Sequence, residues 1–174
     1  PAEFERDFAS RLPETSRGEE FLARFGGMTD KVTRVDPHRT YAVRQPTTHP
    51  MHEHARVGRF AGLLARSPDD SGLREMGELM YASHASYSAC GLGSDGTDLL
   101  VDLVRQAGTK AGLFGAKITG GGSGGTVAIL GRADAGAAVA DIARRYEERT
   151  GRRAYIFAGS SPGARAFGVH HAHL

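Results

Sequence analysis

Cysteine is nearly missing from this sequence: Cys90 stands alone among 174 residues. A single thiol closes no internal disulfide and anchors no multi-cysteine zinc site. A reducing, cytoplasmic setting is the expectation. No apolar run approaches the roughly 18 residues that a membrane-spanning helix requires. The stretch from Pro1 to Glu20 is charged and has no apolar segment of the signal-peptide type. Basic runs are also lacking. Residues 1–66 carry 11 Lys/Arg and 9 Asp/Glu, and the remainder carries 11 of each, so the net charge of +2 is spread evenly. That argues against a protein built to grip nucleic acid or an anionic membrane.

Glycine, by contrast, is plentiful. The chain has 24, about twice the usual share near 7%. A length of this order fits one domain that buries roughly two-thirds of its unfolded surface.

Helical spacing dominates the first part of the chain. Phe4, Phe8 and Leu12 predict one short amphipathic helix; Phe21 and Phe25 predict a second, closed by Gly26-Gly27. Thr40 to Val43 is β-prone. Pro46 and Pro50 are read as interrupting the chain before a helix near Met51 with an apolar face of Val57, Phe60, Leu63 and Leu64. Ser67-Pro68-Asp69-Asp70 then reads as a helix start, with a capping side chain, proline in the first turn and acids at the positive end of the dipole. Leu73, Met76, Leu79, Met80, Ser83, His84 and Tyr87 line its face. Another helix, from near Thr97 to Gly108, carries Leu100, Val101, Leu103 and Val104.

The period then changes to two. Ala116 to Thr119 and Thr126 to Leu130 read as strands, followed by a helix over 134–150 with Gly151 as its C-cap. Ala154 to Phe157 reads as a third strand, Ser160 to Gly163 as a turn, and Ala166 to Val169 as a short fourth strand. Helices followed by β-β-α-β predict an α+β domain with helices packed on one antiparallel sheet.

Between the first two strands lies Gly120-Gly121-Gly122-Ser123-Gly124-Gly125. Glycine backbone with no Cβ in the way can approach a phosphate closely and cup it with N–H groups. A flexible hairpin loop is the plain alternative. The run matches G-x-G-x-x-G, but a dinucleotide fingerprint needs a helix after the last glycine, and here a strand follows. A phosphate loop ending in Gly-Lys-Ser/Thr is absent. Gly91 to Asp98 also leads into a helix. Asp95 and Asp98 disfavour an anion there, so a capped turn between helices is the better reading. His49, His52 and His54, and His170, His171 and His173, lack clean metal-ligand spacing. Ser83 and His84 are sequence neighbours on a helix and point apart, so they form no nucleophile–base pair. Cys90 reads as a small buried hydrophobe.

Gly115 to Thr126 resembles the C-terminal glycine motif of the GHMP kinases. Gly77-Glu78-Leu79-Met80 with Ser83-His84 resembles the helix that precedes that motif in the galactokinase-like members. Tyr41-Ala42-Val43-Arg44 resembles their Tyr-x-x-Arg segment. Tyr87 to Asp98 and Gly159 to Ala164 resemble the arabinokinase branch, as do Ser123 and Thr126, where galactokinases usually carry phenylalanine and cysteine. The likeness runs along the whole chain.

The resemblance implies a GHMP kinase C-terminal domain over 1–174, with a ferredoxin-like arrangement of helices and sheet. Residues 1–66 would hold the leading helices and a sugar-contact segment; 67–174 would hold a helix pair and the β-β-α-β core. The family's phosphate loop and catalytic aspartate belong to an N-terminal half, which this sequence does not contain. No catalytic base and no metal ligand are therefore assigned here. ATP and Mg2+ would be bound mainly by that other half, the expected partner. The whole protein would transfer the ATP γ-phosphate to the anomeric hydroxyl of a monosaccharide, L-arabinose or a galactose-like sugar. Thr119 and Gly120 to Gly125, including Ser123, would close over the nucleotide phosphates, with Lys117 adding positive charge or simply solvated. Tyr41 would contact the sugar or serve the core. Asp98 would cap its helix or touch substrate. A free-standing small-molecule-binding or regulatory module without catalysis is the alternative.

Overall fold

The computed structural model describes residues 1–120 and 125–159, together with Ala166, Gly168 and Val169. Its core is built from the C-terminal part of the chain. Helix α4 (Asp70–Ala89) starts where the Asp69 side chain accepts the Gly72 N–H at 2.9 Å. Asp69, and not Ser67, is thus the cap, and Pro68 lies just outside the helix. Helix α5 (Asp95–Ala107) opens on a reciprocal box: Ser94 Oγ accepts the Thr97 N–H at 3.3 Å, and Thr97 Oγ1 accepts the Ser94 N–H at 3.1 Å.

Strands β3 (Leu113–Ile118) and β4 (Val127–Gly131) form an antiparallel hairpin with Lys117 opposite Ala128 and Ile118 opposite Val127. Helix α6 (Gly136–Thr150) returns across them and stops at Gly151, whose φ of 69° is left-handed. Val101, Leu103 and Val104 of α5, Leu113 and Ala116 of β3, and Ile142 and Tyr146 of α6 meet in one buried cluster. Full burial of such a side chain is worth about 1.5–3 kcal/mol, so this cluster is the main source of cohesion.

Helix α4 lies directly against β3. A Cβ on Gly77 would stand 2.0 Å from the Phe114 carbonyl oxygen, and one on Gly115 would stand 2.4 Å from Gly77 Cα. Two residues without side chains let helix and strand backbones touch. The edge of β3 that faces away from β4 is covered by this helix, which protects an otherwise open strand edge.

The N-terminal part is more loosely attached. Helix α1 (Ala2–Asp7) gives way to a 3-10 turn at Ala9–Arg11 and stops short of the helix expected through Leu12. Strand β1 (Thr15–Arg17) pairs antiparallel with β2 (Thr40–Ala42), placing Ser16 opposite Tyr41; the sequence reading anticipated β2 but not its partner. Helix α2 (Gly18–Phe25) ends at left-handed Gly26, as the glycine pair predicts. Helix α3 (Arg44–Leu64) starts seven residues before Met51. Pro46 sits in its first turn, where a missing N–H costs nothing; Pro50 removes one internal hydrogen bond without ending the helix. Its expected apolar face is poorly covered: α3 has no buried residue, and Val57 and Leu64 are exposed.

The α+β class is as expected, but the strands lie in two two-stranded antiparallel sheets among the described residues rather than in one. Ala154 to Phe157 is not a strand. It finds no ladder partner among the described residues, and Tyr155 and Phe157 are about four-fifths exposed and pack edge-to-face on each other at 4.6 Å. The turn at Ser160 to Gly163 lies outside the described residues, as does Phe167; the other three residues of the expected fourth strand, Ala166, Gly168 and Val169, are exposed and form no strand. No described helix is long and apolar enough to cross a membrane.

Candidate functional site

The glycine run leaves the sheet at the end of β3. Thr119 closes its base: the Thr119 N–H and hydroxyl both donate to the Thr126 carbonyl, at 3.0 and 3.4 Å. Gly120 follows with φ 76°, a conformation that glycine adopts without steric cost. No heavy atom of the described residues lies within 4 Å of a Cβ built at Gly120 or Gly125. Among the described residues, a side chain at either end of the run would therefore meet no neighbour. Gly121, Gly122, Ser123 and Gly124 lie outside the described residues.

Lys117, two residues before Thr119, points to the helices. Its Nζ donates to Glu53 Oε1 at 3.2 Å and stands 5.4 Å from the Tyr87 ring centroid. Glu53 Oε1 also accepts the Ser83 hydroxyl at 2.5 Å, while Oε2 accepts Arg56 Nε at 2.7 Å. Burial pushes the Glu53 carboxyl up, but the Ser83 and Arg56 hydrogen bonds and the Lys117 charge outweigh it and hold the group below its usual range. Nη2 of Arg56 is buried without a hydrogen-bond partner among the described residues. One carboxylate thus joins α3, α4 and β3. The sequence reading missed Glu53 and gave Ser83 no role.

A second cluster lies along α4. His84, which is buried, accepts the Ile118 N–H through Nδ1 at 3.3 Å. That bond makes Nδ1 the acceptor, so the proton sits on Nε2, which faces Asp98 Oδ1 at 3.1 Å. The same Asp98 oxygen accepts the Ser88 hydroxyl at 3.2 Å. The neutral imidazole therefore caps the covered edge of β3 one residue before Thr119. Asp98 is not the cap of α5; that place belongs to Ser94, and the Gly91 to Asp98 segment is the capped turn favoured by its sequence.

Tyr41 stands apart from these clusters. Its hydroxyl accepts the Asp36 N–H at 2.9 Å and keeps its own proton for donation, while Arg39 lies 5.2 Å from the ring centroid. No hydrogen bond or ring contact among the described residues joins Tyr41 to Lys117, His84 or Asp98. The first histidine group diverges: His49 bonds Ser86 Oγ at 2.8 Å, His52 bonds Glu5 at 2.7 Å, and His54 is exposed. His170, His171 and His173 lie outside the described residues. Burial raises the Cys90 thiol above its usual range, so it stays protonated at neutral pH. A surface cavity of about 520 Å³ opens between the 3-10 turn at Thr109–Ala111 and the start of α6; none of the candidate residues lines it.

The arrangement defines a class first: an α+β domain whose hairpin delivers a glycine-rich loop, braced by a neutral histidine and a lysine–glutamate pair. The family model for the C-terminal part of the GHMP kinases matches residues 61–148, just over half of the chain. The chain belongs to the GHMP kinase family, as its C-terminal domain. It is 44% identical over 176 residues to an L-arabinokinase of Arabidopsis thaliana, a match that covers 97% of this chain and 17% of that protein. It is 37% identical over 121 residues to galactokinases of Mycobacterium bovis and Mycobacterium tuberculosis, covering 65% of this chain and 31% of each. The chain therefore spans well under half the length of these relatives, all of them sugar kinases.

Proposed function

We propose that this chain is the C-terminal half of an ATP-dependent sugar kinase that transfers the γ-phosphate to the anomeric hydroxyl of a monosaccharide. L-arabinose leads, with galactose-like sugars behind it. The observation that carries this reading is the 44% identity to an L-arabinokinase along 97% of the chain. The geometry adds support at the start of the glycine run, where left-handed Gly120 suits a backbone that closes over phosphates. Phosphoryl transfer depends on positioning and charge stabilisation, and this loop supplies positioning.

Bound MgATP would supply the phosphoryl group and the cation that neutralises developing charge. This chain's part in holding it is the loop from Thr119 to Gly125. Its nearby carboxylates are otherwise engaged: Glu53 serves Ser83, Arg56 and Lys117, and Asp98 serves Ser88 and His84. The magnesium is assigned to the N-terminal half, together with the catalytic base. Tyr41 is assigned to the sugar, with its hydroxyl proton free to donate.

The test is ADP release by the full-length protein with ATP and a panel of aldoses. Turnover that depends on L-arabinose or a galactose-like sugar is expected. Release of ADP with none of the aldoses contradicts the reading.

A further inference from the structure

We propose that Glu53 is a positioning residue of this kinase: its carboxylate registers the arm that carries Tyr41 against the strand that carries the glycine run. The proposal rests on the sugar-kinase reading above. Three observations lead to it. The first is how weakly α3 is held by packing. The helix has no buried residue, and Val57 and Leu64 of its apolar face are exposed. A polar tie therefore carries an unusual share of its attachment. Helix α3 begins two residues after the end of β2, so its placement is passed directly to Tyr41.

The second is the reach of the carboxylate. Oε1 accepts from Ser83 on α4 and from Lys117 on β3, while Oε2 accepts from Arg56 on its own helix. The glutamate side chain is only 17% exposed, so these bonds are poorly replaced by water. The third is the state of Lys117. Its ammonium is held between Glu53 and the ring of Tyr87. His49 of α3 packs edge-on against that ring, with centroids 4.8 Å apart. Lys117 is thus gripped by α3 twice, once through Glu53 and once through Tyr87. It acts as a tether and not as a phosphate ligand. Only Ile118 separates it from Thr119, so a displaced lysine displaces the mouth of the loop.

The two roles for Lys117 predict opposite double-mutant behaviour. Breaking a half-buried pair from one side leaves an uncompensated charge, whereas neutralising both sides does not. In the full-length kinase, Glu53→Gln and Lys117→Met are each expected to lower kcat/KM about tenfold, for the sugar as well as for ATP. The double variant should fall no further than the worse single one. Multiplying effects, or an Lys117→Met defect confined to the KM for ATP with Glu53→Gln unaffected, overturns the proposal. Hydrogen–deuterium exchange on the same proteins separates this from a failure of the kinase reading. Even if no aldose is turned over, Glu53→Gln should speed amide exchange in 40–44 and 113–120 together. Unchanged exchange in either segment overturns the tether.

Discussion

Gly77 and Gly115 bring α4 and β3 into backbone contact: a Cβ on either would stand 2.0 Å and 2.4 Å, respectively, from main-chain atoms of the other element. Main-chain atoms cannot swing aside as a flexible side chain can. Gly77→Ala and Gly115→Ala should therefore each destabilise the protein by about 2–3 kcal/mol, at the upper end of the range for overpacking. Urea unfolding checks this. A loss below about 0.5 kcal/mol would mean that helix and strand are separated by more than the structure shows. The same contact sets the depth at which His84, two helical turns further along α4, meets Ile118.

His84→Ala should cost about 1–3 kcal/mol, because it strands the Ile118 N–H, a fully buried donor. Asp98→Ala should cost less than about 1 kcal/mol, since Asp98 is 45% exposed and water replaces its bonds. Equilibrium unfolding of the two variants checks the order. Equal losses would show that the His84–Asp98 bond, and not the imidazole acceptor, does the bracing.

Acid stability carries the signature of Glu53. Its carboxyl is held below the ordinary value of 4.5 by Ser83, Arg56 and Lys117, which outweigh the opposing effect of burial. A carboxyl lowered in the folded state contributes stability in full above its unfolded value and loses it as pH falls through the lower folded one. The stability gap between the native protein and Glu53→Gln should therefore be constant near neutrality and shrink below pH 4.5. Denaturant melts across that range measure it. A gap that persists unchanged at the acid end contradicts the ion-pair account.

Capping and periodicity made the C-terminal core readable. Gly108 and Gly151 close their helices where the glycines predict, whereas α5 starts at Asp95 under a Ser94 cap rather than near Thr97 with Asp98 as cap. The alternation after Gly112 gave the hairpin, and the face of α4 placed Ser83 and His84 among buried apolar residues. That position was itself a signal: polar side chains on a buried stripe need partners. The partners were hidden because they come from far along the chain. Glu53 lies 64 positions from Lys117, and within its own segment it reads as one more polar residue between two histidines. Pro50 misled because proline disfavours helix interiors on average, yet one lost hydrogen bond did not end a helix of 21 residues. Ala154 to Phe157 misled because alternation predicts the shape of a strand but not the presence of a neighbour to pair with.

Tyr41 stands apart from the Glu53 and His84 clusters, and the sugar contact proposed for it is tested on its own. The Tyr41 hydroxyl accepts from Asp36 and can still donate, so Tyr41→Phe removes a donor while leaving the ring in place. In the full-length protein the change should raise KM for the sugar about fivefold to twentyfold, the loss of one hydrogen bond, with KM for ATP unmoved. Steady-state kinetics with each substrate varied in turn checks this. An effect on ATP alone, or on neither substrate, removes Tyr41 from the sugar site.

The most direct measurement is phosphorus and proton NMR of the product made by the full-length protein from ATP and L-arabinose. The account predicts a sugar phosphate whose phosphorus couples to the anomeric proton. Phosphate coupled to any other sugar position, or ADP formed with no sugar phosphate at all, would contradict it.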